Sequence, residues 1–197
     1  RNTFLREFRP VVGMAELFRK WARERGASVQ YVSKSPPELH EPLHEFLQRE
    51  GFPVAAVHLC SVWGRERSSF KERRIESILK AYPHRTFVLV GDSGEQDPTI
   101  YAGILRRHPA QIEKVLIRQV SPERPVDAGV FKGLDPKRWQ VFQEPSEAEL
   151  PELPEREVPP AIQWMPPALL GIPEFPNLSI PSLLNSWEGI PIPSVSG

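Results

Sequence analysis

The sequence predicts an α/β fold in which a parallel sheet is flanked by helices and followed by an irregular, proline-rich tail. Three observations predict it. Stretches with apolar residues at helical spacing alternate along the chain with short apolar runs, the order expected of parallel βαβ units. One of these runs, Phe87-Val-Leu-Val, opens into Gly91-Asp-Ser-Gly-Glu-Gln-Asp-Pro98, so a strand delivers Asp92 and Asp97 into the loop at its carboxyl end, where an open α/β sheet keeps its chemistry. From Pro145 onward the composition changes: twelve of the 23 prolines fall there, Arg156 is the one basic residue, and no helix or strand period is sustained. The expected organisation is a domain over 1–144 and a linker or docking tail over 145–197.

Each element has its own signal. Met14, Leu17, Phe18, Trp21 and Ala22 share one helical face, and Gly26 supplies the residue that ends such a helix. A strand over 28–32 follows and runs into Ser33-Lys-Ser-Pro36. Leu39, Leu43, Phe46 and Leu47 mark a second amphipathic helix, closed by Gly51, and the apolar run 55–60 reads as the next strand. Phe70, Ile75, Ile78 and Leu79 stripe a third helix that ends before Pro83. The strand 86–90, a helix carrying Ile100, Tyr101, Ile104 and Leu105, a strand over 115–120 and an extended piece over 139–142 complete the order.

Two strand ends offer complementary chemistry. Asp92 and Asp97 are hard anionic oxygen donors separated by a glycine-containing turn, a pair that suits Mg2+, which would itself hold a phosphate. Aspartates after a strand are also common turn and helix-cap formers. Ser33, Lys34 and Ser35 end the first strand with donors for a phosphate, or cap the helix that begins near Pro37. Lys71 stands near the start of the helix leading into the Asp92 strand, placed to reach the same sheet edge or to serve as one more solvated charge. Arg65, Arg67, Arg73 and Arg74 cluster beside it, as a solvated face or as a contact for an anionic lipid headgroup.

The order Ser33, Lys71, Asp92, Asp97 resembles motifs two, three and four of the haloacid-dehalogenase-like phosphatases. More narrowly, VVGMAELFRKWARERGASVQYVSKSPPEL, FKERRIESILKAYP, FVLVGDSGEQDPTIYAGI, VLIRQV and WQVF are similar to the catalytic domain of the fungal and bacterial phosphatidate phosphatases, over roughly residues 1–144. That resemblance implies a haloacid-dehalogenase-like Rossmannoid sheet and a Mg2+-dependent hydrolysis of phosphatidate to diacylglycerol and phosphate through an aspartyl-phosphate. It assigns Ser33, with Lys34 and Ser35, to the phosphoryl group, Lys71 to the nucleophile and phosphate, and Asp92 with Asp97 to the metal. The chain departs from the pattern at one point: the first motif, Asp-x-Asp-x-Thr, is missing, and no aspartate precedes Asp92. The expectation is a fragment that starts after its nucleophile and lacks the central strand of the sheet. Strands 28–32 and 86–90 would then face each other across a gap of about 10 Å, two strand spacings. Such a polypeptide would fold poorly alone, because unpaired buried backbone groups are costly, and would be inactive.

Composition limits the alternatives. The 197 residues, 40% hydrophobic and 25% charged, suffice for one core. With 25 basic against 25 acidic residues there is no net field to attract nucleic acid. Cys60, the single cysteine, excludes an internal disulfide and reads as a buried thiol. No run approaches the length of a membrane span, so the expected location is the cytoplasm, with peripheral contact at membranes. His40-Glu-Pro-Leu-His44 matches the HExxH zinc pattern literally, but Pro42 interrupts it and no third ligand follows, so exposed histidines are expected. His58, inside an apolar strand, reads as a satisfied core or edge residue. In the tail, Pro151-Glu-Leu-Pro-Glu-Arg156 matches the PxxPxR pattern of an SH3 ligand, which would make SH3-domain proteins partners through Pro151, Pro154 and Arg156, with Glu152 and Glu155 opposing. Trp164, Leu169, Leu170, Phe175, Leu183, Leu184 and Trp187 are too apolar for a purely solvating segment. The second hypothesis is therefore a non-catalytic scaffold that binds SH3 proteins or lipid through this tail.

Overall fold

The computed structural model describes residues 10–61, 65–123 and 125–151. Pro154 and Arg156 of the SH3-type pattern and the apolar tail residues from Trp164 to Trp187 lie outside the described residues, as does the side chain of Arg65. The described residues fall within one compact unit.

Among the described residues five strands, in two parallel sheets, alternate with helices, as the periodicity predicts. Helix α1, Met14–Arg25, ends at Gly26, whose φ of 58° lies in the left-handed region that favours glycine. Strand β1, Gln30–Ser33, pairs in parallel with β2, Ala56–Leu59, across a connection made of a 3-10 turn at Pro37–Leu39 and helix α2, His40–Arg49. Helices α3, Arg65–Ser68, and α4, Phe70–Ala81, lead to β3, Phe87–Asp92. Helix α5, Asp97–Arg107, carries the chain from β3 to its parallel neighbour β4, Ile112–Arg118, and β5, Trp139–Phe142, adds to the far side of β4. Among the described residues the strands form two sheets, β1-β2 and β3-β4-β5, and β1 and β3 do not pair with each other.

Strand β4 organises the core because its residues alternate between two faces. Val115 and Ile117 pack with Tyr101, Ile104 and Leu105 of α5 and with Ile75 and Leu79 of α4. Leu116 faces the other way, onto Met14, Leu17 and Trp21 of α1, with Val88, Val90 and Phe142. The three-stranded sheet is thus covered on both faces, as a parallel sheet requires. Each fully buried aliphatic side chain there contributes about 1.5–3 kcal/mol relative to exposure. Val32 of β1 packs against the first of these clusters, which ties the smaller sheet to the larger.

Several boundaries differ from the sequence expectation. Strand β4 starts at Ile112, three residues before the expected 115, because Glu113 and Lys114 hide the pattern; Lys114 nevertheless pairs with Val88 and is buried along its stem. Strand β3 runs on to Asp92 through Gly91, two residues beyond 90, and pairs Asp92 with Arg118. After β5 the described chain stays packed: Pro145–Glu147 forms a 3-10 turn, and Ala148 is buried against Leu116 and Phe142. Pro42 sits in the first turn of α2, where a missing N–H costs nothing. His40 and His44 are exposed, with stacked rings 6.3 Å apart. His58 bonds to the Gln30 side chain at 2.8 Å, and burial, followed by the charge of Arg74, pulls its pKa below the usual histidine value. Cys60 is buried. No helix among the described residues is long and apolar enough to cross a membrane.

Candidate active site

Because the strands run parallel, the carboxyl ends of β1 and β3 open toward one cavity of about 560 Å³. Its wall includes every residue singled out by the sequence: Ser33, Lys34, Ser35, Lys71, Asp92 and Asp97. These come from three separate parts of the chain. Ser33, Lys34 and Ser35 leave the end of β1, Lys71 stands in the first turn of α4, and Asp92 and Asp97 bracket the turn between β3 and α5.

The centre of the wall is a buried ion pair. Lys71 Nζ donates to Asp97 Oδ1 at 2.5 Å, with the two residues only 8% and 4% exposed. Asp97 Oδ2 accepts a longer bond, 3.4 Å, from the backbone N–H of Asp92. Burial raises the pKa of Asp97 above the usual carboxylate value, and the Lys71 charge and hydrogen bond oppose that rise. Packing beneath the pair is close enough to demand glycine at 91: a Cβ there would lie 2.5 Å from Asp97 Oδ2 and 2.7 Å from Tyr101 Cε2. Tyr101 closes the floor, its hydroxyl donating to the Val90 carbonyl at 3.4 Å, and burial drives its pKa far up.

Asp92 has a different character. It is exposed, and its Oδ1 accepts from the Gly94 N–H at 2.7 Å, so it does form the turn that its residue type suggests. The residue also lines the cavity. The β1 end does not cap the helix that follows. Ser35 N–H donates to Ser33 Oγ at 3.1 Å and the Ser33 hydroxyl donates to Ser35 Oγ at 3.0 Å, whereas the 3-10 turn at Pro37–Leu39 has no side-chain cap. The hydroxyls belong to the cavity wall and not to the helix start.

Two further wall residues carry charge without having been singled out individually. Arg67, counted in the sequence only within a basic cluster, lines the cavity. Glu95 lies within the GDSGEQDP turn, and its carboxylate sits 3.5 Å from Lys34 Nζ. Its place between Asp92 and Asp97 in that turn was the signal available in the sequence.

Among the described residues no group of three or more His, Cys, Asp and Glu side chains converges as a ready-made metal cage. The donors present fit Mg2+ in kind, since that ion keeps several waters and takes one or two carboxylates alongside a phosphate. Of the two aspartates, Asp92 is exposed at the cavity wall, while Asp97 is engaged by Lys71.

Fold and site together define an α/β protein with a cavity of lysines, hydroxyls and carboxylates at its carboxyl-terminal strand ends. The family model for the catalytic domain of phosphatidate phosphatase APP1 matches residues 1–119, and the chain belongs to that family. It is 34% identical over 95 residues to phosphatidate phosphatase APP1 of Saccharomyces cerevisiae, covering 45% of this chain and 16% of that protein. It is 28% identical over 117 residues to an uncharacterized protein of Schizosaccharomyces pombe, covering 56% of this chain and 19% of that one. The matched region thus spans less than a fifth of either relative. No solved structure matches.

Proposed function

We infer that this chain is the phosphate-orienting part of a haloacid-dehalogenase-like phosphatidate phosphatase, which cleaves the P–O bond of phosphatidate with water to give diacylglycerol and inorganic phosphate. The observation that carries this reading is the convergence of Ser33, Lys34, Lys71, Asp92 and Asp97 on one cavity in a chain of this family. The hydroxyls of Ser33 and Ser35 and the ammonium of Lys34 donate to the non-bridging oxygens of the phosphate. Lys71 adds positive charge where negative charge develops in transfer, and Asp97 fixes its position from below. A bound Mg2+ would neutralise phosphate oxygens and align them for in-line attack. Asp92 would hold it directly, and Asp97 through a water, because one of its oxygens already belongs to Lys71.

The aspartyl-phosphate route needs a nucleophilic aspartate, and residues 1–91 contain none. The reading therefore assigns to this chain binding, orientation and charge stabilisation, with attack coming from a segment that carries Asp-x-Asp-x-Thr. Such a segment would also supply the strand that the resemblance puts between β1 and β3, which do not pair with each other. Exposed Arg73 and half-buried Arg67 and Arg74 would offer cations to the anionic headgroup of a lipid met at a membrane surface. The test is phosphate release from phosphatidate by the intact protein, with and without Mg2+, in the wild type and in Asp92→Asn. The reading expects Mg2+-dependent release in the first and a deep loss in the second.

A further inference from the structure

The charges of the cavity cancel in a way that bears on how a phosphate enters. Three cations, Lys34, Arg67 and Lys71, and three carboxylates, Asp92, Glu95 and Asp97, line it. Lys71 is paired with Asp97 at 2.5 Å, and Lys34 with Glu95 at 3.5 Å. A phosphate monoester brings close to two negative charges at neutral pH, and in this arrangement it meets no surplus of positive charge. To take either lysine it must open that lysine's ion pair.

The two pairs differ in how easily they do so. Asp97 cannot leave without stranding a buried ammonium, the costly way to break a buried pair. The Glu95 side chain is 58% exposed and sits on the turn between β3 and α5, so it can swing into water with its charge fully hydrated. Its contact with Lys34 is a single, rather long ion pair of the kind that contributes little. The Lys34 side chain, only 16% exposed, stays against the cavity when Glu95 departs. The donor that faces the substrate is thereby held in place by a carboxylate that is cheap to displace.

We propose that Glu95 is an exchangeable counter-ion: it occupies Lys34 in the anion-free site, and the phosphate group of the substrate displaces it and takes over the ammonium. Glu95 thus sets the affinity of the site for phosphate monoesters, lowering it for substrate and for the released phosphate product alike. The proposal rests on the phosphatase reading above and adds the residue that tunes phosphate affinity in that site. It also gives a role to a residue that the reading assigns neither to the phosphate nor to the metal.

The experiment is calorimetric titration of inorganic phosphate into the intact protein, alongside steady-state hydrolysis of phosphatidate. Glu95→Gln binds phosphate about five-fold more tightly than the wild type, the factor that corresponds to roughly 1 kcal/mol. The gain shrinks as salt is raised, and KM for phosphatidate falls in parallel. Lys34→Met weakens phosphate binding, and in Lys34→Met/Glu95→Gln the gain from Glu95→Gln disappears, a coupling that a merely structural Glu95 does not produce. Equal or weaker phosphate binding by Glu95→Gln, in a protein that hydrolyses phosphatidate, overturns this proposal alone. No phosphate binding and no hydrolysis by the wild type overturns the reading of the site beneath it.

Discussion

Replacing Lys71 by Met asks the most of the buried pair at the centre of the site. The substitution keeps the stem and removes the ammonium, leaving Asp97, 4% exposed, with one remaining hydrogen bond at 3.4 Å. Breaking a buried pair from one side strands a charge, and the loss expected is about 3–5 kcal/mol at neutral pH, a large part of a domain's total stability. The pH dependence carries a sign. In the wild type burial already raises the Asp97 pKa, and Lys71 opposes that rise. Without Lys71 the folded-state pKa climbs further above the unfolded value of about 3.9. The folded state then holds its proton while the unfolded state has lost it, so stability falls as pH rises from about 4 through the raised pKa. Urea unfolding followed by circular dichroism, from about pH 5 to about pH 8, reads this directly. Lys71→Met should lose more with every step upward, and Lys71→Met/Asp97→Asn should recover most of the loss and its slope, because no charge remains to bury. A Lys71→Met variant within about 1 kcal/mol of the wild type, a value typical of an exposed pair, with no added pH slope would refute the buried-pair reasoning.

Two other outcomes follow from the same geometry. Gly91→Ala places a methyl group inside contact distance of Asp97 and Tyr101; it should destabilise the fold by about 1–3 kcal/mol, and in the intact protein it should lower kcat more than it raises KM, which thermal unfolding and steady-state kinetics separate. The 197-residue chain by itself should release no phosphate from phosphatidate with Mg2+ present, and a segment carrying Asp-x-Asp-x-Thr, supplied in front of it, should restore release; turnover by the short chain would exclude an aspartyl-phosphate route.

Much of the arrangement is legible in the residues because the signals are local. The helical stripe from Met14 to Trp21 with Gly26 behind it, and the uninterrupted Trp139–Phe142 strand, depend on near neighbours in sequence and appear as expected. The start of β4 was hidden by Glu113 and Lys114, since a lysine buried in a strand is indistinguishable by composition from a loop residue. The site was legible as a set of residue types at strand ends, and these residues do line one cavity. Which of them bind each other was not. Lys71 and Asp97 are 26 residues apart, as the sequence numbering shows, and their 2.5 Å contact is created by the packing of α4 and α5 on the same face of the sheet. The Lys34–Glu95 contact likewise arises only when the ends of β1 and β3 come to face one cavity.

The central claim, that this cavity orients a phosphate around a metal held by Asp92, meets its most direct test in the rate of phosphate release from phosphatidate by the intact protein. Measured across Mg2+ concentrations in mixed micelles, the wild type should depend on the metal. Asp92→Asn should fall by orders of magnitude and need more Mg2+ for what activity remains, because it removes the anionic ligand at the place where phosphoryl charge develops. Asp97→Asn should fall less. A wild-type rate in Asp92→Asn, or release that is indifferent to Mg2+, would contradict the account and leave Asp92 as the turn-forming residue that its bond to Gly94 already makes it.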